Sequence, residues 1–437
     1  MANFAWKTSS SLDPLNPGLG LDWDSWWDLT GLQGAEAPNP PEPPTSTRFV
    51  QVIPAEDVRI EFTGVNFGNL DIDGNPTTGT INQIKIFSDG VWVSDLSGIS
   101  MEVGTFIGFV LSGNNAGFLA QIFAGADTIS GNVLDDTLRG LGGDDTLIGG
   151  AGADVLDGGT GAGDWADYST SSAAVSVNLA SATSTGGDAQ GDSLIAIENL
   201  RGSSLADALT GDVGNNALDG GDGDDTLVGG AGADAFNGGA QADVVDYSTA
   251  VAGVSVDMTT TLGSTGDGAG DTFTGVENLR GSSHADALTG DDAANALWGD
   301  AGGDTLNGSA GADTLRGGAD LDTLNGGSED DILIGGAGGD VLNGGAGSGD
   351  WADYSTSASG VTVNLQTGAA SGGDAAGDTL QFIEYLRGSA QADTLTGNTL
   401  INRLFGGFGA DQIFGGDGGD LLQGEGDADT LNGEGGI

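Results

Sequence analysis

Aspartate recurs at a fixed place in a nine-residue unit that fills most of the chain after about residue 124. The unit is G-G-x-G-x-D-x-U-x, where U is apolar, and clear copies lie at 149–157, 220–228, 335–343 and 406–414. Glycine tolerates positive φ, so the backbone can curl tightly and turn several carbonyl oxygens toward one point. The aspartate adds a carboxylate there, and hard oxygen ligands suit Ca²⁺. The unit therefore predicts calcium-binding turns.

Aspartates of successive turns are predicted to stack. Two units make one coil of 18 residues with a turn on each side, and turns on the same side then lie about 4.8 Å apart. Asp286, Asp304, Asp322 and Asp340 follow this spacing, so an ion between stacked turns can take oxygens from both. The predicted metal ligands are Asp127, Asp136, Asp145, Asp154, Asp207, Asp225, Asp234, Asp243, Asp286, Asp304, Asp313, Asp322, Asp331, Asp340, Asp393, Asp411, Asp420 and Asp429.

Three units carry asparagine in place of this aspartate, namely Asn216, Asn295 and Asn402. Asn402 also stands 18 residues before Asp420 and leaves that aspartate without an acidic partner. A neutral amide is a poorer calcium ligand than a carboxylate. These turns are expected to bind calcium weakly or not at all, and to mark where the inserts described below join the repeats.

Each unit ends in a short strand whose apolar residue is expected to face inward. Examples are Leu147, Leu156, Leu227, Phe236, Leu306, Leu315, Leu342 and Ile413. One apolar side chain per unit gives a thin core that is marginal against the loss of chain entropy. Bound ions are therefore expected to be structural, with folding coupled to calcium binding. The predicted fold is all-β, a parallel β-roll or β-solenoid with calcium-binding turns, spanning 124–437.

Three inserts interrupt the repeats at about 164–201, 247–280 and 350–387. Each carries an Asp-Tyr-Ser sequence near its start, and Tyr168, Tyr247 and Tyr354 each stand 34 residues before the glycine that opens the next block. Constant spacing indicates a defined module and not a floppy loop. The inserts are expected to add β coils in line with the roll.

The N-terminal part has a different organisation. Residues 48–123 are predicted to form a small α+β domain that covers the end of the roll, with a hairpin turn at 88–90 and short helices at 103–111 and 118–123. Residues 35–47 are proline-rich and predict a stiff linker. Residues 1–34, rich in Trp and Asp, are expected to be either a poorly ordered tail or a docking element for a partner.

Composition excludes several partners. The formal net charge is −54, from 64 Asp and Glu against 10 Lys and Arg. Nucleic acids and anionic membranes are recognised by clustered Lys and Arg, so neither is expected. There is no cysteine, which excludes disulfides and thiolate metal sites. The sequence shows no secretory signal peptide and no apolar run of transmembrane length.

The repeats resemble the RTX, or haemolysin-type, calcium-binding repeats of bacterial secreted proteins, over about 124–437. The resemblance implies a parallel β-roll, type I secretion in unfolded form, folding in extracellular calcium, and ligands at the sixth-position aspartates. Such proteins usually carry a C-terminal secretion signal, whereas this sequence stops within a repeat at Gly435-Gly436-Ile437. A truncated sequence is therefore expected.

No enzyme is predicted. The single histidine, His284, lies in a repeat turn, so an HExxH zinc site is impossible, and no G-x-S-x-G motif is present. Two functions stay open. One is a structural or adhesive extracellular protein, with calcium, a cell surface, matrix or other copies of the chain as partners. The other is the calcium-dependent carrier part of a larger secreted enzyme or toxin. Intracellular calcium buffering is a weaker third alternative.

Overall fold

The computed structural model describes residues 125–260, 262–433 and 435, together with the backbone of five N-terminal strands. The chain divides into two compact units, Met1–Leu209 and Thr210–Ile437. The helices predicted at 103–111 and 118–123 lie outside the described residues. The same holds for the linker at 35–47, except the backbone of Thr47, and for the 1–34 segment, except the backbone of its short strand at 3–6.

The N-terminal strands pair in antiparallel fashion. They are β1 (Asn3–Trp6), β2 (Thr47–Ile53), β3 (Val58–Leu70), β4 (Pro76–Ser88) and β5 (Val91–Glu102). The sheet order is β2-β3-β4-β5-β1, and β1 also pairs in parallel with the first repeat strand. Strands β4 and β5 pair Ser88 with Val91 and so form the predicted hairpin, whose turn residues 89–90 lie outside the described residues.

The remainder of the first unit is built from three-residue strands. They are β6 (Thr128–Ser130), β7 (Thr137–Arg139), β8 (Thr146–Ile148), β9 (Val155–Asp157), β10 (Trp165–Asp167), β11 (Ser176–Asn178), β12 (Thr183–Thr185), β13 (Ser193–Ile195), β14 (Asn199–Arg201) and β15 (Ala208–Thr210), which ends at the unit boundary. One parallel sheet has the order β6-β8-β10-β14, and a second has the order β7-β9-β13. Alternate strands of the chain therefore enter alternate sheets, as two strands per coil require.

The second unit repeats this pattern over more coils. Its strands are β16 (Ala217–Asp222), β17 (Thr226–Val228), β18 (Ala235–Ala240), β19 (Val244–Asp246), β20 (Ser255–Asp257), β21 (Leu262–Thr265), β22 (Thr272–Thr274), β23 (Asn278–Arg280), β24 (Ala287–Thr289), β25 (Ala296–Ala301), β26 (Thr305–Ala310), β27 (Thr314–Ala319), β28 (Thr323–Ser328), β29 (Ile332–Ala337), β30 (Val341–Ala346), β31 (Trp351–Asp353), β32 (Thr362–Asn364), β33 (Ala369–Ser371), β34 (Thr379–Gln381), β35 (Tyr385–Arg387), β36 (Thr394–Thr396), β37 (Arg403–Gly407), β38 (Gln412–Phe414), β39 (Leu421–Glu425) and β40 (Thr430–Asn432).

Parallel pairing between odd strands gives one long sheet in this unit, β17-β19-β23-β25-β27-β29-β31-β35-β37-β39. The other strands form β16-β18-β22, β20-β24-β26-β28-β30-β34 and β32-β36-β38-β40. The only helices among the described residues are single 3-10 turns at Gly187–Ala189, Gly266–Gly268 and Gly373–Ala375. The predicted parallel β-roll is confirmed.

Identical apolar residues stack in register along the roll. Leu306 pairs with Leu324, which pairs with Leu342, and each is fully buried. All eight apolar residues predicted to face inward are at most 2% exposed. The register follows from the eighteen-residue coil, because a shift of one residue would turn every leucine outward.

Each insert exchanges one sheet for another while the second sheet continues. In the third insert, β31 pairs with β35 in the long sheet, so the insert adds a coil in line with the roll. On the other face, β34 ends the series that began at β20, and β32 begins a new series with β36. The antiparallel strand β33 connects the two series by pairing with both β32 and β34.

An arginine and a tryptophan hold neighbouring insert strands together on the outer face. In the third insert, the guanidinium of Arg387 lies 5.2 Å from the ring centre of Trp351 and 3.1 Å from Oδ2 of Asp353. In the first insert, Arg201 makes the same two contacts with Trp165 and Asp167. These contacts account for the W-A-D and L-R sequences of both inserts.

Candidate metal centre

Sixth-position aspartates form buried columns along the turns. The backbone N–H of Asp286 donates to Oδ1 of Asp304 at 2.8 Å, that of Asp304 to Asp322 at 2.9 Å, and that of Asp322 to Asp340 at 3.0 Å. The same bond joins Asp127 to Asp145, Asp136 to Asp154, Asp225 to Asp243, Asp313 to Asp331, Asp393 to Asp411, and Asp411 to Asp429. The predicted spacing of 18 thus brings these aspartates together within each unit.

The second carboxylate oxygen of most column members has no hydrogen-bond partner in the protein. This holds for Oδ2 of Asp145, Asp154, Asp164, Asp234, Asp243, Asp304, Asp313, Asp322, Asp331, Asp340, Asp350, Asp411 and Asp420. Asp331, Asp340 and Asp350 are 0% exposed. Leaving a buried carboxylate oxygen unpaired is costly unless a cation or a proton meets it.

These oxygens point into glycine-lined cradles. A Cβ atom built on Gly317 would collide with Oδ2 of Asp322 and would lie 2.7 Å from the main-chain oxygen of Gly335, one coil later. A Cβ on Gly308 would likewise collide with Oδ2 of Asp313 and with the main-chain oxygen of Gly326. A side chain at this glycine would fill the space where oxygens from two successive turns converge. Carboxylate and carbonyl oxygens are the ligands that Ca²⁺ prefers, so the residues present fit that ion.

Burial makes these carboxylates hard to ionise in the absence of a cation. It raises the pKa to about 7 for Asp145, Asp154, Asp234, Asp304 and Asp331. Neighbouring aspartates raise the pKa further, whereas the backbone N–H bond to Oδ1 lowers it. A cation beside Oδ2 would reverse this effect by stabilising the ionised form.

Main-chain oxygens must contribute to any such site. Among the described residues, no three His, Cys, Asp or Glu side chains lie close enough together to hold a metal. One carboxylate per turn together with main-chain oxygens is therefore the available ligand set. This explains why the unit needs glycines as well as aspartates.

Two column members with unpartnered Oδ2 atoms do not follow the spacing of 18. Asp164 accepts the N–H of Asp145 at 2.7 Å, and Asp350 accepts that of Asp331 at 2.9 Å, each across 19 residues. One extra residue within each of their own turns, at 158–164 and 344–350, takes both out of register with the repeat. A different signal identifies them, since Asp164, Asp243 and Asp350 each stand four residues before the tyrosine of an insert.

Other turns are closed by their own hydrogen bonds. Oδ2 of Asp286 accepts the N–H of Ser282 at 2.6 Å, and Oδ1 accepts the Ser282 hydroxyl at 2.9 Å and the N–H of Val254 at 2.7 Å. Asp207 and Asp393 have the same partners from Ser203 with Val175 and from Ser389 with Val361. Oδ2 of Asp136 accepts both the backbone and the side-chain N–H of Asn132, each at 2.7 Å. Both oxygens of Asp207, Asp286 and Asp393, and Oδ2 of Asp136, are therefore already hydrogen-bonded.

The asparagine turns are closed in a similar way. Oδ1 of Asn295 accepts the N–H of Asp291 at 2.8 Å, and its Nδ2 donates to the main-chain oxygen of Glu277 at 2.8 Å. Asn402 donates in the same way to the main-chain oxygen of Glu384. Both glutamates belong to the preceding insert, so these asparagines stand where an insert joins the repeats.

A buried tyrosine closes each insert. Tyr354 donates its hydroxyl to Oδ2 of Asp378 at 2.9 Å, while Oδ1 of Asp378 accepts the N–H of Asp340 at 2.8 Å. Tyr168 with Asp192 and Tyr247 with Asp271 repeat the arrangement at 3.0 Å and 2.7 Å. The aspartate column thus ends on a tyrosine hydroxyl in all three inserts. The motif was visible in the sequence, but its aspartate partner was not.

Comparison with known families identifies the repeats. The family model describes four copies of the RTX calcium-binding nonapeptide repeat. It matches residues 130–163, 202–245, 271–306, 280–315, 289–324, 298–333, 316–349 and 405–437. These are RTX calcium-binding repeats. No curated protein matches the chain. The resemblance seen in the sequence is confirmed, and the RTX repeat region is a structural calcium-binding module.

The other chemical candidates have ordinary surroundings. His284 lies in an exposed part of its turn, and its Nε2 is 2.8 Å from the main-chain oxygen of Val251. The Ser282 hydroxyl donates to Oδ1 of Asp286 at 2.9 Å. The described residues include no helix with the length and apolar character needed to cross a membrane.

Proposed function

We propose that this chain is a secreted calcium-binding protein with a structural or adhesive role outside the cell, and that its RTX roll folds when calcium binds. The observation that carries the proposal is the series of buried Oδ2 atoms that have no protein partner and face main-chain oxygens of the next coil. Bound Ca²⁺ would supply the positive charge that these carboxylates need. The protein then supplies the spacing, the glycine cradle and the burial.

The proposed ligands are the carboxylates with unpartnered Oδ2 atoms given above, together with main-chain oxygens of the glycines that open the following turns. Asp225 and Asp429 line equivalent cradles beside Gly220 and Gly424, and Asp127 heads the column that leads to Asp145. These three predicted ligands are kept in the proposal. The chain's charge of −54 adds a general reason, because cations must offset self-repulsion before the roll can compact.

The extracellular assignment rests on RTX repeats being typical of secreted bacterial proteins. Type I secretion of the unfolded chain, followed by folding in external calcium, fits a roll whose thin core has one apolar side chain per nine-residue unit. The repeats and inserts occupy most of the chain, which supports a structural or adhesive role with a cell surface, matrix or other copies as partner. The second candidate is the carrier part of a larger secreted enzyme or toxin, supported by the same calcium-dependent folding. The full coding sequence separates the two.

The test is far-UV circular dichroism of the whole chain during titration with CaCl₂ from a chelated start, with MgCl₂ in parallel. We expect a cooperative change from coil to β with calcium and little change with magnesium, since Mg²⁺ gives up its water reluctantly. At pH 7.5, a spectrum that is β-rich in chelator, or unchanged by millimolar calcium, would refute the proposal.

A matched pair of variants sharpens the test. Asp322→Asn removes a buried charge that faces a cradle, whereas Asp292→Asn removes an exposed one. Both change the net charge equally, so a general charge effect would shift the calcium midpoint to the same extent in both. We expect a higher midpoint only for Asp322→Asn.

A further inference from the structure

We propose that the backbone conformation of the second residue of each turn decides whether the turn takes calcium, and that the turn opening each repeat block after an insert is a calcium-free starter. This inference rests on the proposed function and specifies where its sites are. Turns of the two kinds are called open and closed here. An open turn has its sixth-position Oδ2 unpartnered in the protein, and a closed turn has that side chain bonded to the N–H of residue two.

Open turns share a backbone feature. Residue two has positive φ in each, for example Gly318 at 116°, Gly327 at 122° and Gly336 at 94°, which precede Asp322, Asp331 and Asp340. This holds even where residue two is not glycine, as for Leu141 at 72°, Asp300 at 71° and Ser309 at 82°. Positive φ is uncommon for such residues, so the turn overrides their preference. With this conformation the N–H of residue two does not bond to the carboxylate.

Closed turns lack this feature. Residue two is Asn132, Ser203, Asp212, Ser282, Asp291, Ser389 or Asn398, and none of these has positive φ. Each donates its N–H to the sixth-position side chain of its own turn, at 2.5–2.8 Å. A cation beside that oxygen would face the hydrogen of the N–H group, which disfavours binding.

The side chain of residue two stabilises the closed form. The Ser282 hydroxyl accepts the N–H of His284 at 3.1 Å, and the Asp291 carboxylate accepts that of Ala293 at 2.8 Å. Ser203, Asp212, Ser389 and Asn398 make the same bond two residues on. These are the local turns that Ser, Asp and Asn favour. A protein donor therefore replaces the cation at the turns that begin the blocks after the inserts.

The position of closed turns gives them a role. Asp207, Asp286 and Asp393 open the three blocks that follow inserts, and each accepts the N–H of an insert strand residue at Val175, Val254 or Val361. A block can therefore begin on a turn that is satisfied without an ion. Calcium then extends the column from this turn.

The experiment compares adjacent members of one column in the full chain. Calcium content is measured by equilibrium dialysis and atomic emission for Asp286→Asn and Asp304→Asn, with circular dichroism confirming that both are folded. We expect Asp304→Asn to lose about one ion per chain and Asp286→Asn to lose none. Asp393→Asn and Asp411→Asn provide the same comparison in another block, should one of the first pair fail to fold.

A gain of binding tests the role of residue two directly. Ser282→Gly removes the hydroxyl and permits positive φ, so we expect about one additional ion per chain. Equal loss from Asp286→Asn and Asp304→Asn, or no gain from Ser282→Gly, would overturn the inference while leaving calcium binding intact. A wild-type chain that binds no calcium would instead overturn the proposed function.

Discussion

Removing the hydroxyl of Tyr354 should destabilise the third insert without creating a cavity. Tyr354 and Asp378 are each 2% exposed, and the Tyr354 hydroxyl donates a hydrogen bond of 2.9 Å to Oδ2 of Asp378. Tyr354→Phe keeps the ring and leaves a buried carboxylate oxygen unpaired, which costs about 1–3 kcal/mol. Burial raises the pKa of Asp378 to about 6, although the tyrosine bond itself lowers it. At pH 7.5 the carboxylate is ionised, so we expect a loss near the upper end of this range.

The pH dependence of the loss distinguishes this cause from general damage. Below pH 6 a proton on Asp378 removes the unpaired charge, so the destabilisation should shrink as the pH falls from 7.5 to 5. Urea unfolding in saturating calcium gives the measurement at both values. Tyr385→Phe is the control, because Tyr385 is partly exposed and its ring packs edge-on against Trp351 at 5.1 Å. A loss from Tyr354→Phe no larger than the control's would refute the reasoning.

Leu324→Ala should lower the free energy of unfolding by about 2–5 kcal/mol, measured with urea in calcium, because Leu324 is fully buried. Leu321→Ala, at a position 68% exposed, should lower it by under about 0.5 kcal/mol. Equal losses would contradict the stacked core. Gly308→Ala should lower the calcium content by about one ion per chain, because its Cβ would collide with Oδ2 of Asp313. Gly419→Ala has open space around it and should leave the calcium content unchanged. Equilibrium dialysis measures the calcium content of both variants. The ion-free roll should become more stable on acidification. Its folded pKa values of about 7 exceed the unfolded value of 3.8, so stability is greatest below about pH 4 and is lost as the pH rises to about 7; chelated samples with equal β content at pH 4.5 and 7.5 would contradict this. The groups concerned are Asp145, Asp154, Asp234, Asp304 and Asp331.

Periodicity made the core and the columns predictable. A strand hydrogen-bonds to the strand 18 residues later, so Leu306 must meet Leu324 and Asp304 must meet Asp322. No long-range information beyond the repeat is needed for these contacts. Asp350 was missed because one added residue shifts its turn relative to the pattern, while the backbone accommodates the change and restores the column.

The state of each turn was not readable from residue two alone. Ser282 and Ser309 occupy the same position, yet Ser309 has φ of 82° in an open turn and Ser282 closes its turn on Asp286. Their surroundings differ two residues on, where Ser309 is followed by Gly311 and Ser282 by His284. Gly311 also adopts positive φ, at 105°, so a residue two that is not glycine takes the open conformation where residue four also has positive φ, whereas every glycine at residue two has it.

The sheet exchange at the inserts was also beyond sequence analysis. The spacing predicted an added coil, and β31 with β35 provides it. Nothing in the local sequence indicated that β32 would start a new series while β34 ends the old one. The insert is held by contacts between residues distant in sequence, such as the hydrogen bond from Tyr354 to Asp378 across 24 residues, and a local pattern does not show these.

The pairing register means that the repeat block between the second and third inserts has a length set by its number of eighteen-residue coils. Strand β28 hydrogen-bonds to β26 before it and β30 after it, with leucine beside leucine in both. Duplicating or deleting eighteen residues there would place like residues beside like again and change the block by about 4.8 Å. A nine-residue change would move every later turn to the opposite side of the roll. Gene segments that encode whole coils can therefore be gained or lost one at a time, and selection can adjust the reach of this protein without redesigning any contact.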